Sequence, residues 1–369
     1  MYIYMAVGNL SFQSFSLCYL FFLLLMLALP SFLLFRTSRP ILLLHRHPQF
    51  AVNKAIVTPS RPHRPRHHQR SIRTMAASPF TQPRSVVKKL LSQEQREGDG
   101  ALVRRSIGRP ELKQLDPFLL LDEFSVSPPA GFPDHPHRGF ETVTYMLEGA
   151  FTHQDFAGHK GTIKAGDLQW MTAGRGIVHC EMPASKGKQH GLQLWVNLAA
   201  KDKMIDPNYQ ELEDKDIPKI HKDGVSVSVI AGESMGIKSP VYTRTPTMYL
   251  DFKLEPGAVL HQAIPDDWNA FVYVLEGESS FGSPNGPVIG ANHTIQLGMG
   301  DGVSIWNKSQ GLCRFVLIGG QPLNEPVFQY GPFVMNTKEQ VMDAIQDYQS
   351  GRNGFERAAG WQSDPVTLE

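Results

Sequence analysis

The first 93 residues of this 369-residue chain contain no aspartate and no glutamate; the first acid is Glu94. Nine of the 36 lysines and arginines lie at or before Arg73, so residues 75–369 carry 27 basic against 35 acidic side chains, a net of −8 beneath an overall +1. Such a body lacks the clustered cations that displace counterions from phosphates, which argues against direct nucleic-acid binding. Cysteine is scarce as well. Cys18 lies in the acid-free part, and Cys180 and Cys313 alone make no disulfide framework and suit a reducing compartment. Positive charge is missing ahead of residues 16–35, a nearly unbroken apolar run long enough to span a bilayer. That run therefore lacks the basic n-region of a secretory signal.

Arg36, Arg39 and Arg46 follow the apolar run directly, and an inserted segment with this flank would keep the remainder cytosolic. Residues 36–74 are basic, acid-free and contain His, Pro and Ser, which also matches an organellar transit peptide, and the basic run 61–73 matches a nuclear address. A third reading starts the working protein at Met75, in M-A-A-S-P-F. Residues 1–80 are set apart from the fold as a leader. The expected location is cytoplasm and nucleus for a start near Met75. For a chain that keeps the leader it is a membrane anchor with a cytosolic body, or an organelle.

The chemistry concentrates in two short stretches. Residues 134–149 read D-H-P-H-R-G-F-E-T-V-T-Y-M-L-E-G and residues 177–183 read I-V-H-C-E-M-P. Each holds two potential metal ligands at i, i+2, which share one face of an extended strand. Pro136 pushes His135 away from helix towards extended backbone. Two such strands facing each other across a small barrel would bring His135, His137, His179 and Glu181 to one point. Three imidazoles and a carboxylate suit a mid-series divalent metal, iron first, with nickel, manganese, copper and zinc as competitors. Cys180, between two ligands, points to the opposite side.

The order of these features, His-x-His, a strand, a glycine-punctuated turn and a later His, resembles a cupin. V-V-K-K-L-L, R-R-S-I-G-R, D-P-F-L-L-L-D-E-F, H-P-H-R-G-F-E-T-V-T-Y, G-D-L-Q-W-M-T-A-G-R-G-I-V-H-C-E, G-L-Q-L-W-V-N-L, G-P-F-V-M-N-T and the G-x-N-G-F-E at 351–356 resemble the pirin family. The resemblance covers about residues 84–358.

Strands are expected at 101–107, 117–124, 140–147, 162–163, 168–172, 177–181 and 191–198, then at 225–231, 248–254, 271–275, 303–306 and 312–318. Residues 201–218, polar and ending in proline, read as an inter-domain loop. Tyr145-Met-Leu-Glu-Gly149 is echoed by Tyr273-Val-Leu-Glu-Gly277, and Ala165-Gly-Asp167 by Met299-Gly-Asp301. A duplicated unit accounts for both. These offsets carry His135 and His137 to Ala263 and Pro265, and His179 and Glu181 to Cys313 and Phe315, so the second unit has lost its ligands. His261 remains as a lone histidine. A helix with a Thr337-x-x-Gln340 capping box, an apolar face of Val341, Ile345 and Tyr348, and Gly351 at its end closes the chain and covers a barrel. The expected fold is all-β: two tandem cupin jelly-roll barrels, a metal-binding one at 84–215 and one without metal ligands at 216–358, plus the C-terminal helix. Glu141, His153, His159 and His190 have no spacing that assigns them a partner.

Four protein ligands on an octahedral ion leave two positions open. The pirin resemblance implies one Fe(2+)/Fe(3+) per chain, with other divalent transition metals as competitors. It also implies a metal-dependent quercetin 2,3-dioxygenase acting on a flavonol, in which Glu181 would serve as general base. The same resemblance implies an alternative without turnover: an iron-dependent, redox-sensitive nuclear or cytosolic regulator that binds transcription factors or G-protein signalling partners. A membrane enters only with the leader.

Overall fold

The computed structural model describes residues 79–366 and 368. The apolar run, the basic tract and the Met75 start lie outside the described residues. Among those described, no helix is long and apolar enough to cross a membrane.

The first twelve strands of the described residues are β1 (Val86–Leu91), β2 (Gln93–Glu97), β3 (Ala101–Ile107), β4 (Phe118–Val126), β5 (Phe132–His137), β6 (Phe140–Glu148), β7 (Ala150–Asp155), β8 (Lys160–Lys164), β9 (Leu168–Thr172), β10 (Ile177–Pro183), β11 (Gln189–Asn197) and β12 (Asn208–Leu212). They alternate by face as period two demands. In β6, Val143 and Tyr145 join the core between the two barrels, while Thr142 and Thr144 point the other way, into the first barrel. Two sheets form this barrel, in the orders β12-β9-β6-β11-β4-β3-β2 and β5-β10-β7-β8. The loop expected at 201–218 contains β12, which extends the larger sheet alongside β9. Its polar N-Y-Q-E-L sequence hides it from a search for apolar alternation.

The second barrel repeats the plan. Its larger sheet runs β1, His293–Leu297, Asn269–Glu276, Cys313–Gly320, Thr247–Leu254, Val225–Ala231, Lys219–Lys222, and its smaller one Val259–Ala263, Gly302–Trp306, Glu278–Phe281, Val288–Gly290. β1 thus pairs with His293–Leu297, the strand next to Asn269–Glu276, rather than with the barrel it precedes. The echoed tyrosines face each other's barrel. Tyr145 Oη donates to Asp251 Oδ2 at 3.0 Å and Tyr273 Oη to Glu123 Oε2 at 2.6 Å. Gly149 and Gly277, at φ 77° and 68°, turn the chain after each echo, a backbone that glycine adopts without penalty.

Strand register revises the positional bookkeeping. His137 pairs with Ile177 and His135 with His179; in the second barrel Ala263 pairs with Gly302 and His261 with Ser304. His135, His137 and His179 therefore correspond to His261, Ala263 and Ser304. The expected counterparts Cys313 and Phe315 sit on the strand equivalent to β11. The error came from the Gly-Asp echo. Asp167 leads into β9, whereas Asp301 leads into the strand equivalent to β10. The loss of ligands stands, since only His261 survives, and its Nδ1 lies 2.7 Å from Ser304 Oγ.

The hairpin Phe328–Tyr330/Phe333–Met335 leads into helix α1 (Lys338–Ser350). Thr337 accepts from the Gln340 backbone N–H at 3.2 Å, Gln340 Oε1 accepts from the Asn336 N–H, and Gly351 closes the helix at φ 60°. Val341 is buried, and Ile345 and Tyr348 pack against Val178 of β10, Phe333 and Phe355.

Candidate metal centre

The His-Pro-His segment is β5, and the His-Cys-Glu segment lies in β10. They are hydrogen-bonded neighbours in the four-stranded sheet, not strands facing each other across the barrel as the spacing suggested. A register shift between His179 and Glu181 places Glu181 opposite Phe132. The three imidazoles of His135, His137 and His179 offer ring nitrogens that all lie within 4.8 Å of one another. Ring centroids are 4.5 Å apart for His135 and His179 and 5.0 Å for His137 and His179.

Glu181 reaches the same interior, but its carboxylate lies outside that 4.8 Å group. Thr144 Oγ1 donates to Glu181 Oε1 at 2.8 Å, and Gln193 Nε2 lies 3.0 Å from Oε2 and 3.2 Å from Oε1. Thr144 on β6 and Gln193 on β11 were not singled out from the sequence. The one signal for them was their place inside the family-like segments E-T-V-T-Y and G-L-Q-L-W-V-N-L. Cys180 points away and is buried, as expected.

Electrostatics favours metal ligation. Burial, and then the nearby His135, hold His137 well below the usual imidazole range; burial, His135, His137 and His153 do the same for His179. Both rings are therefore neutral lone-pair donors at pH 7. His137 Nδ1 and both nitrogens of His179 are buried without a hydrogen-bond partner, an arrangement that costs stability unless something binds them. His135 Nδ1 lies 2.8 Å from the Pro133 carbonyl, which assigns its proton to Nδ1 and leaves Nε2 free to ligate. These residues fit a first-row transition ion.

The centre is braced from the far end of the chain. Arg138, next to His137, is buried and donates to Asp347 Oδ2 on α1 at 3.0 Å and to the carbonyls of Arg175 and Asn353, both at 2.6 Å. Its guanidinium lies 4.7 Å over the Phe355 ring. The G-x-N-G-F-E motif at 351–356 is thus a clamp on the segment carrying His137.

Of the residues left unassigned, Glu141 accepts from Thr172 Oγ1 at 2.7 Å, and His190 Nε2 lies 2.7 Å from Glu123 Oε1, beside the inter-barrel tyrosine contact. Neither joins the centre.

Fold and centre together define a two-barrel cupin with a three-histidine metal-type centre in its first barrel. Residues 100–196 match the pirin family model and residues 249–354 that of the pirin C-terminal cupin domain. A pirin-like protein of Solanum lycopersicum is 70% identical over 287 residues, covering 78% of this chain and 99% of that protein. The pirin of Homo sapiens is 59% identical over 282 residues, covering 76% and 97%. The crystal structure of a quercetin 2,3-dioxygenase from Acinetobacter baumannii is 36% identical with a TM-score of 0.68, over 73% of this chain and 98% of that one. A bacterial pirin from Escherichia coli, in complex with nickel(II), is 20% identical with a TM-score of 0.52, covers 64% and 99%, and shares the fold. The chain belongs to the pirin family.

Proposed function

We propose that this protein holds iron at His135, His137 and His179, with Glu181 completing the set, and cleaves a flavonol such as quercetin as a 2,3-dioxygenase. The carrying observation is the convergence of three imidazoles whose buried nitrogens lack protein partners. The 36% identity to a quercetin 2,3-dioxygenase structure supports the same reaction class. Bound iron would supply coordination for the substrate's neighbouring oxygens and activation of dioxygen.

The protein's own part is protonic and positional. Glu181 is the carboxylate of the set and the group suited to accept the flavonol hydroxyl proton. Its Oε1 accepts from both Thr144 and Gln193, whereas Oε2 accepts from Gln193 alone, so Oε2 is the freer oxygen for a proton. Trp195 and Phe140 pack edge-on against His137, at 5.3 and 5.2 Å between centroids, and hold that ring in place.

Burial favours a second reading. His137 and His179 are 3% and 1% exposed, so a change of iron oxidation state would be read by a protein partner through the fold rather than by contact. In that reading the molecule is a redox-sensitive regulator of the cytoplasm and nucleus, and no turnover is needed.

Glu181→Gln separates the two. With three histidines kept, metal occupancy should fall modestly, while turnover of a flavonol should fall by about 10²–10⁴ if Glu181 is the base. A regulator would instead show partner binding that tracks occupancy and oxidation state alone. Iron-loaded wild-type protein that consumes no flavonol under oxygen refutes the enzyme reading. Quercetin loss that survives a His135→Ala, His137→Ala double variant places the activity elsewhere.

A further inference from the structure

Two histidines without an assignment meet a carboxylate from the inter-barrel segment. His153 lies in β7, His159 in the turn before β8, and Glu211 in β12, and their ligand atoms all lie within 4.8 Å of one another. His153 Nε2 is 2.8 Å from Glu211 Oε1, and His159 Nε2 is 3.2 Å from the same oxygen. We infer that His153, His159 and Glu211 form a second divalent-cation site, of zinc type, separate from the three-histidine centre.

Four observations carry it. The donor set, two imidazoles and a carboxylate, is one that zinc takes with water in the remaining position. His153 Nε2 is buried and, despite its closeness to Glu211, is not aligned for a hydrogen bond with it, so the ring nitrogen is aimed past the oxygen. The space beside it is kept open. Gly161 faces the site, and a Cβ there would stand 2.6 Å from His153 Nε2 and 3.5 Å from Glu211 Oε2. The set is also held in place. Gln169 Nε2 donates to Glu211 Oε1 at 2.7 Å, the His159 ring stacks on Tyr209 at 4.0 Å, and the His159 N–H donates to Asp155 Oδ1 at 2.9 Å. Tetrahedral zinc with ligands at about 2.1 Å separates them by about 3.4 Å, so the 2.8 and 3.2 Å contacts need to open by only a few tenths of an ångström.

Access agrees. The side chains of His159 and Glu211 are 36% and 33% exposed, which leaves room for water on the ion and a path for it to arrive. An ion here would tie the β7–β8 hairpin to β12, the strand that leaves the first barrel.

The test uses the full-length chain with its three-histidine centre already filled, dialysed against zinc and assayed by elemental analysis. Wild type should take up one further zinc, and its Tm should rise by about 5 °C or more at a hundredfold excess over Kd. Glu211→Gln and His159→Ala, both at partly exposed positions, should lose that zinc and the Tm response while keeping the first metal. Gly161→Ala should do the same by filling the space. Gln169→Ala, which only releases the carboxylate, should weaken zinc by about 10–100-fold. In a His135→Ala, His137→Ala variant the second zinc should remain, which separates this site from the proposed iron centre. No additional zinc in wild type, or zinc uptake indifferent to Glu211→Gln and His159→Ala, overturns the inference.

Discussion

Asp347→Asn tests whether the C-terminal clamp holds the metal centre. The wild-type carboxylate accepts from Arg138 Nη1 at 3.0 Å, Arg352 Nε at 3.0 Å and Asn353 Nδ2 at 2.8 Å. The Arg138 and Asp347 side chains are 2% and 8% exposed. Removing one charge of a buried pair typically costs 3–5 kcal/mol, because the other is left uncompensated. Two carbonyls still receive Arg138 in the variant, so the lower end, about 3 kcal/mol, is expected. The Arg352 side chain is more than half exposed, so its contact with Asp347 adds little. At roughly 2 °C per kcal/mol for a body of this size, Tm should drop by about 6 °C by calorimetry. Metal affinity should fall with it, because Arg138 is the residue after His137.

The pH dependence follows from the sign of the shift. Burial raises the Asp347 carboxyl, but Arg138, Asn353 and Arg352 outweigh it and leave the carboxyl below its ordinary value. A depressed folded-state value means the stabilisation is fully present above the unfolded value, about 3.9. It is lost as pH falls through the folded one. The gap between wild type and variant should therefore be full at pH 7 and close below about pH 4. A Tm change under about 1 °C at pH 7, or a gap that persists unchanged in acid, refutes the reasoning.

Protein grown with iron should carry about one equivalent of transition metal at the three-histidine centre, and His179→Ala should abolish it in elemental analysis. Gly139→Ala should lower stability by about 3 kcal/mol in thermal melts, since Gly139 sits at φ 90° and a Cβ there would stand 2.0 Å from the Val334 carbonyl oxygen. Thr144→Val leaves Glu181 with Gln193 alone, so flavonol turnover should change while metal content does not. Mass spectrometry of the native N-terminus separates the leader readings: a chain starting at or near Met75 with no longer form removes the membrane anchor, whereas a longer form that resists carbonate washing of membranes supports it.

Much of the centre was legible because metal ligands on a strand obey period two. His135, His137, His179 and Glu181 announce themselves by spacing, and Pro136 excludes the helical alternative. Which strands pair is a long-range matter, so the adjacency of β5 and β10 was not visible. β7 was missed because A-F-T-H-Q-D has few β-branched residues. Its His153 meets Glu211 across 58 positions of sequence, beyond any spacing rule. The Tyr145 and Tyr273 echo did mark a true repeat, and Glu123 and Asp251 repeat it at the same 128-residue offset. The Gly-Asp echo marked only two turns with the same chemistry. No spacing rule points to the role of Arg138, since its partner Asp347 lies 209 positions on.

The crossed placement of the chain ends orders events during synthesis. β1 leaves the ribosome early, yet its partner strand, His293–Leu297, follows some two hundred residues later. Until then V-V-K-K-L-L is an unpaired edge, and its two lysines are the kind of residue that discourages association with other chains. Arg84 waits as long, for the carbonyls of Pro265 and Gly298. The clamp on Arg138 comes later still, after α1 and Asn353 have emerged. A nascent first barrel therefore has its three histidines before the brace on the neighbouring Arg138 can form.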